Sequence, residues 1–317
     1  MPQEYKYLFG PVPSRRLGLS LGVDIVKFKT CTLNCVYCQL GPTEQTTTER
    51  KEYVPAEPVL AELKAALVAG LKADYITFSG SGEPTLNTAL GRMIEGVKKL
   101  TDIPVAVLTN GTLLADESVR ADCSKADLIV PSLDAGDEET FRKINRPSEE
   151  ITIERLIEGL VELRKQFAGQ IWLEVFLIQG VNTNPEQIAS IKNAIDRIRP
   201  DKIQLNTAVR PTAEPSVKRM DPDTLEGIAT KLGDNCQVVA DFSILPHAAE
   251  IQAGAENVFS MLKRRPCSVE DISSALAIPR AQTLKCLGYL SQKDLVEPVQ
   301  KNNVTYYTQK HPPDSQQ

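Results

Sequence analysis

Between about residues 20 and 243, short runs of apolar and β-branched residues recur at 21–26, 75–79, 105–109, 128–133, 171–178, 203–208 and 238–243. Several are almost continuously apolar, the pattern of strands covered on both faces in a parallel sheet. Segments with apolar residues at helical spacing lie between them, at 58–69, 86–100, 152–166, 185–198 and 222–232. Asn184-Pro185 and Asp221-Pro222 each place a capping side chain before a proline at the first helical position. Strand alternating with helix predicts a parallel α/β architecture. Periodicity alone leaves two forms of it open, a barrel and an open doubly wound sheet.

Past about residue 250 the pattern changes. Residues 255–263, 269–276 and 280–292 read as helices, and 295–299 and 305–308 as strands either side of the turn Lys301-Asn302-Asn303. Three helices followed by a hairpin predict a C-terminal winged-helix domain, a variant of helix-turn-helix. The expected organisation is an α/β domain over 1–250, a winged-helix-like domain over 251–311 and a disordered polar tail over 312–317.

Composition narrows this little. The chain has 317 residues, 42% of them hydrophobic, with a formal net charge of −5, which argues against a broadly basic nucleic-acid surface. No apolar run reaches the roughly 18 residues of a membrane span, and no signal-peptide pattern opens the chain. A cytoplasmic location without membrane contact is expected. Seven cysteines, three clustered and four scattered, fit a reducing compartment better than a disulfide framework.

The clustered three carry the most chemistry. Cys31, Cys35 and Cys38 stand in Cys31-Thr32-Leu33-Asn34-Cys35-Val36-Tyr37-Cys38. Soft sulfur donors favour zinc or iron–sulfur over hard cations. A structural zinc normally takes four ligands, and the only histidines, His247 and His311, lie far downstream. Three thiolates on one loop suit an iron–sulfur cube with one iron free of protein. Zinc and three unrelated cysteines remain the alternatives. The loop follows the first strand, where parallel α/β folds build their sites.

This C-x₃-C-x₂-C triplet, with Tyr37 before the third cysteine, resembles the radical S-adenosylmethionine superfamily. The resemblance implies a partial (β/α)6 barrel like an opened TIM barrel, a 4Fe-4S cluster on Cys31, Cys35 and Cys38, and S-adenosylmethionine bound to the open iron through its amino and carboxylate groups. One electron, delivered by reduced flavodoxin or ferredoxin, then yields a 5′-deoxyadenosyl radical that abstracts hydrogen from a substrate. Ser81-Gly82-Glu83-Pro84 is similar to the superfamily's Gly-Gly-Glu-Pro motif, so Gly82 and Glu83 would hold the amino group of the methionine moiety. Without the resemblance, the same residues read as a strand-to-helix turn with an acid at a helix N-terminus.

The other strand ends divide in the same way. Asn110, in Asn110-Gly111, is a turn residue or a contact to cofactor or substrate. Ser132 and Asp134 match the ribose-contacting position, against helix capping by Asp134 or Asp137. Glu174 and the run Phe176-Leu177-Ile178-Gln179-Gly180 match the adenine-contacting strand, with the Tyr37 backbone nearby. An acid inside an apolar strand needs a partner, so an ion pair is the alternative for Glu174. Gln204 and Asn206 alternate on one strand face, and Arg210 reads as an anion or S-adenosylmethionine-carboxylate ligand, or as half of a rim ion pair. The opening Phe9-Gly10-Pro11-Val12-Pro13-Ser14-Arg15-Arg16-Leu17-Gly18 reads as a lid or anion clamp, or as an ordered entry into the first strand.

With Gly22-Val23-Asp24-Ile25, that stretch resembles the Fe–S oxidoreductases related to tRNA wyosine-forming enzymes. No Cys precedes Cys31, so the second-cluster cysteines of the archaeal members have no counterpart. Cys123, Cys236, Cys267 and Cys286 show no ligand spacing and read as small buried residues. Residues 255–317 carry eight Lys and Arg against six Asp and Glu. Arg280, Gln282, Thr283 and Lys285 open the third helix there, with Lys263-Arg264-Arg265 nearby. The module reads as a binder of an RNA, peptide or protein substrate, or as a structural cap. RNA or another macromolecule is the leading substrate, peptide or small-molecule modification the second, and a cluster-bearing DNA-binding redox sensor the reading from another class.

Overall fold

Strand and helix alternate to build one eight-stranded sheet in the first of two compact units, Met1–Ala240 and Asp241–Gln317. The structure is a computed structural model and describes residues 5–14, 16–209, 212–240, 247–263, 265–276, 278, 280–293, 295–301 and 304–310. The strands are β1 (Leu8–Ser14), β2 (Gly18–Val23), β3 (Tyr75–Phe78), β4 (Val105–Thr109), β5 (Leu128–Pro131), β6 (Gln170–Leu177), β7 (Lys202–Thr207) and β8 (Cys236–Val238). Their order across the sheet is their order in the chain. β2 to β8 pair in parallel, and β1 adds antiparallel to β2. The crossovers carry α1 (Ala56–Val68), α2 (Leu90–Leu100), α3 (Glu117–Cys123), α4 (Glu138–Asn145), α5 (Ile153–Gln166), α6 (Pro185–Ile198) and α7 (Pro222–Leu232).

Capping explains where these helices start. Asn184 and Asp221 accept from Gln187 N and Thr224 N ahead of α6 and α7, with proline at the first turn. Asp137, not Asp134, caps α4 by accepting from Thr140 N. α3 and α4 are short, seven and eight residues, and carry too few turns for periodicity to mark them. β1 also departs from the sequence pattern, because Gly10, Pro11 and Pro13 punctuate it. An edge strand tolerates proline, and its register shifts between Phe9 and Val12. The last strand starts at Cys236, earlier than the pattern placed it, and 241–243 lie outside the described residues.

Each buried face has its own apolar set. Ile76, Val107, Ile129, Leu173 and Leu205 are fully or almost fully buried, as are Leu63, Met93, Leu160 and Ile191 on the crossover helices. The register groups a second set: Ala106 and Val130 cluster with Leu17 from the β1–β2 turn, and Leu108 and Trp172 pack against them. Asn182, with no exposed surface, joins the ends of two strands. Its Nδ2 donates to the carbonyls of Asp134 and Phe176, and its Oδ1 accepts from Ile178 N, each at 2.8 Å.

The second unit contains α8 (His247–Leu262), β9 (Cys267–Ser268), α9 (Val269–Leu276), α10 (Arg280–Gln292), β10 (Val296–Lys301) and β11 (Val304–Gln309). Its strands form an antiparallel sheet in the order β10-β11-β9. Val258, Leu262, Cys267, Ile272, Cys286, Leu287 and Leu290 make its core. Turn residues Asn302 and Asn303 and the tail 312–317 lie outside the described residues. Among the described residues no helix is long and apolar enough to cross a membrane.

Asn182→Ala removes three buried hydrogen bonds and strands the backbone groups that made them. We expect a loss of about 3 kcal/mol, seen as a lower urea midpoint at unchanged m-value.

Candidate active site

After β2 the chain runs into a long loop instead of a helix, and this loop carries Cys31, Cys35 and Cys38 as half-buried free thiols. The loop is pinned from two sides. Lys29 N donates to Ser81 O (2.7 Å) and Glu83 N to Thr30 O (2.9 Å). Asn34 N donates to Asn145 O (3.0 Å) and Val36 N to Ile144 O (2.9 Å), at the end of α4. A β-carbon at position 82 would lie 1.9 Å from Thr30 O. Gly82 is therefore required by the cysteine loop itself.

Glu83, 2% exposed, follows in the same turn. Its Oε1 accepts from Thr85 N and from the hydroxyls of Thr85 and Thr109, and its Oε2 from Asn110 N (2.7 Å). Burial pushes its carboxyl above the usual range, and these four bonds work against that. Both expectations for Glu83 meet here: it caps the short 3-10 turn Pro84–Leu86, and Oε2, with one bond, keeps acceptor capacity.

Each cysteine sulfur accepts from a side-chain nitrogen of a different segment. Asn110 Nδ2 lies 3.5 Å from Cys31 Sγ, Asn145 Nδ2 lies 3.5 Å from Cys35 Sγ, and Lys29 Nζ lies 3.2 Å from Cys38 Sγ. Burial, then the Glu83 carboxylate, pushes the Cys31 thiol up to about 11. Burial, then Cys31 and Asp134, raises Cys35 well above the ordinary thiol range.

Asp134 is a junction, 2% exposed. Its Oδ2 accepts from Tyr37 OH (2.5 Å) and Asn145 Nδ2 (2.7 Å), and its Oδ1 from Phe176 N (2.9 Å). Burial raises its carboxyl to about 6. The Tyr37 ring stacks on Phe176 with centroids 4.0 Å apart. Ser132, half-buried one strand-end away, makes no side-chain hydrogen bond to any described residue. Glu174 accepts from Arg16 Nη1 (2.5 Å) and from Asn206 Nδ2 (2.9 Å). One cation beside it thus comes from the opening stretch, which is strand β1 and its turn. Gln204 is fully buried, and neither amide atom has a hydrogen-bond partner. Arg210 lies outside the described residues.

The structure therefore gathers the three cysteines with Gly82, Glu83 and Asn110, and ties Tyr37 to Asp134. Lys29 and Asn145 were not legible as site residues, and Arg16, read as part of a lid or anion clamp, pairs with Glu174. Asn145 meets Cys35 across 110 positions and Arg16 meets Glu174 across 158, so no local spacing announces either.

The donor set fits a cluster held by three thiolates. Among the described residues no three His, Cys, Asp or Glu side chains gather as ligands of a single ion. A cube does not need them to, since each thiolate takes its own iron. The raised thiols would release protons on binding, and N–H donors to ligand sulfurs are among the features that set a cluster's potential.

Known proteins align with this geometry. The sequence profile of the radical SAM superfamily matches residues 25–191. A protein of Brachyspira hyodysenteriae named GTPase Obg is 38% identical over 95% of this chain, and the chain spans 45% of that relative's length. A UPF0026 protein of Methanocaldococcus jannaschii is 36% identical over 71% of this chain and 69% of its own. Among solved structures, Streptococcus suis SuiB bound to S-adenosylmethionine superposes with a TM-score of 0.52 at 16% identity, covering 69% of this chain and 50% of that one.

Two outcomes follow from the site. Gly82→Ala must displace the Thr30 carbonyl, so anaerobic reconstitution should load markedly less iron per chain than in the wild type, at near-wild-type helix content by circular dichroism. Asp134 titrates at about 6 in the fold against 3.8 ordinarily. The folded state keeps its proton longer, so this group's contribution is full below pH 3.8 and is lost as pH rises through 6. The stability of the metal-free wild type relative to Asp134→Asn should fall by about 3 kcal/mol across that window, by urea unfolding.

Proposed function

The chain belongs to the radical SAM superfamily and, within it, to the UPF0026 proteins, and we propose that it binds a 4Fe-4S cluster and S-adenosylmethionine to take a hydrogen atom from a macromolecular substrate. One observation carries this reading. Three thiols in the three-then-two spacing meet the Gly82–Glu83 turn and Asn110 at the carboxyl ends of consecutive parallel strands. When bound, cluster and S-adenosylmethionine supply a 5′-deoxyadenosyl radical from one donated electron.

The protein's part is to hold and orient. Cys31, Cys35 and Cys38 hold the cluster, and Lys29, Asn110 and Asn145 offset the negative charge on their sulfurs. Glu83 Oε2 accepts from the ammonium of the methionine moiety, and the Thr85 and Thr109 hydroxyls keep its carboxylate aimed. The unpartnered hydroxyl of Ser132 takes a ribose hydroxyl. Asp134, whose Oδ1 has one bond and keeps acceptor capacity, shares the ribose contact, and the Tyr37 backbone and the run 176–180 border the adenine. Arg210 remains a carboxylate or substrate-anion ligand in this reading.

The unbroken strand order supports a partial barrel, since a doubly wound sheet reverses order at a switch point. Three helices with a hairpin support a winged-helix module in the second unit, expected over 251–311, which would present an RNA, peptide or protein substrate. The electron comes from reduced flavodoxin or ferredoxin, in the cytoplasm.

Anaerobically reconstituted protein with dithionite should convert S-adenosylmethionine to 5′-deoxyadenosine, and Cys35→Ala should abolish this. Ser132→Ala should raise the KM for S-adenosylmethionine about tenfold, the worth of one hydrogen bond. No 5′-deoxyadenosine from loaded wild type would sink the reading.

A further inference from the structure

Lys29 holds an unusual place in the cysteine loop. Its φ of 62° lies in the left-handed region, which glycine enters freely and a residue with a β-carbon enters at a cost. The turn after β3 locks the backbone there, because Lys29 N donates to Ser81 O at 2.7 Å, and Thr30 N donates to Lys27 O at 3.0 Å. Glycine would make the same turn without that cost, so it is the side chain that calls for an explanation.

That side chain crosses the loop to the third cysteine. Lys29 Nζ donates to Cys38 Sγ at 3.2 Å and to the carbonyl of Gly41. The contact is partly buried, so salt screens it less than it screens a surface pair. Among the described residues no carboxylate lies within ion-pair distance of this ammonium, whose partners are the sulfur and the carbonyl.

The three sulfurs are therefore served unequally. Asn110 and Asn145 offer Cys31 and Cys35 neutral amides at 3.5 Å. Glu83 acts on Cys31 and Asp134 on Cys35, and both carboxylates oppose further negative charge there. Cys38 is the one of the three that a full positive charge touches. A cluster on three thiolates gains one unit of negative charge when it takes up an electron. Carboxylates buried nearby oppose that uptake, and an ammonium against a ligand sulfur favours it. Net charge and hydrogen bonds to the sulfurs set where such a cluster's potential falls.

We propose that Lys29 sets the reduction potential of the cluster carried by Cys31, Cys35 and Cys38, raising it far enough for the electron donor to reduce it. One electron passes from a reduced flavodoxin- or ferredoxin-type carrier, which is oxidised, to the cluster, and no bond forms or breaks in that step. Lys29 is a positioning residue that acts through Cys38 Sγ. Its role rests on the cluster of the function proposed above and adds the group that makes this cluster reducible.

The test is a reductive titration at controlled potential of the full-length reconstituted protein. It is read by the electron paramagnetic resonance of the reduced cluster, with iron per chain measured alongside. Lys29→Met and Lys29→Gln keep a β-carbon at the left-handed position and remove the charge, and Gln retains an N–H donor. Both should hold iron and make reduction at least tenfold less favourable, a fall in midpoint of about 59 mV for one electron. Lys29→Arg restores the charge and should return the midpoint most of the way to the wild-type value. A lysine that merely ties the loop to Gly41 would change iron content and leave the midpoint where it was. An unchanged midpoint in both uncharged variants, failure of both to hold iron, or a midpoint in Lys29→Arg as low as theirs overturns the role. A wild type that holds no cluster overturns the function proposed above and this role with it. A wild type that holds a cluster but makes no 5′-deoxyadenosine refutes the reaction alone, and the midpoints still decide about Lys29.

Discussion

A carbonyl oxygen and an absent side chain set the geometry of the first unit's upper rim. Thr30 O comes so close to residue 82 that only glycine fits, and the same oxygen accepts from Glu83 N. That contact welds the cysteine loop to the turn after β3. From there a continuous path of hydrogen bonds runs through the Glu83 carboxylate to Thr109 and Asn110 at the end of β4, and from Asn110 back to Cys31. Three segments far apart in the chain thereby fix one another, and none can shift without breaking a buried bond.

The electrostatics of this rim pull against each other. Two carboxyls, Glu83 and Asp134, are buried close to sulfur, and burial raises the proton affinity of carboxyls and thiols alike. Amide donors and one lysine ammonium sit against the sulfurs and offset part of that cost. Asn145 is the economical element, serving Cys35 and Asp134 with the same nitrogen. Where solvent is excluded, charge persists only beside donors such as these.

Much of this architecture could be read from residue order. The strands from 75 to 208 announced themselves by unbroken apolar runs, and α6 and α7 by Asn184-Pro185 and Asp221-Pro222. The cysteine spacing is local, so it needed no fold to be seen. What escaped was whatever depends on distance along the chain or on exceptions to propensity. β1 is a strand built through Gly10, Pro11 and Pro13, acceptable because it is an edge. Glu174 demanded a partner by its place in an apolar strand, yet that Arg16 is one follows only from how the β1–β2 turn folds back. Asp134 and Ser132 could be placed at one strand end by spacing, but the bonds that aim Asp134 come from Tyr37, Asn145 and the Phe176 backbone, none of them near it in the chain.

The β1–β2 turn has a consequence for how firmly the sheet is held. Leu17, 4% exposed, packs on Ala106, Leu128 and Val130, which stoppers the end of the sheet's inner face away from the cysteines. Shortening that leucine to alanine would leave a void against three strand residues, a large-to-small cost of about 2–5 kcal/mol, so a turn outside the parallel strands helps to hold them together.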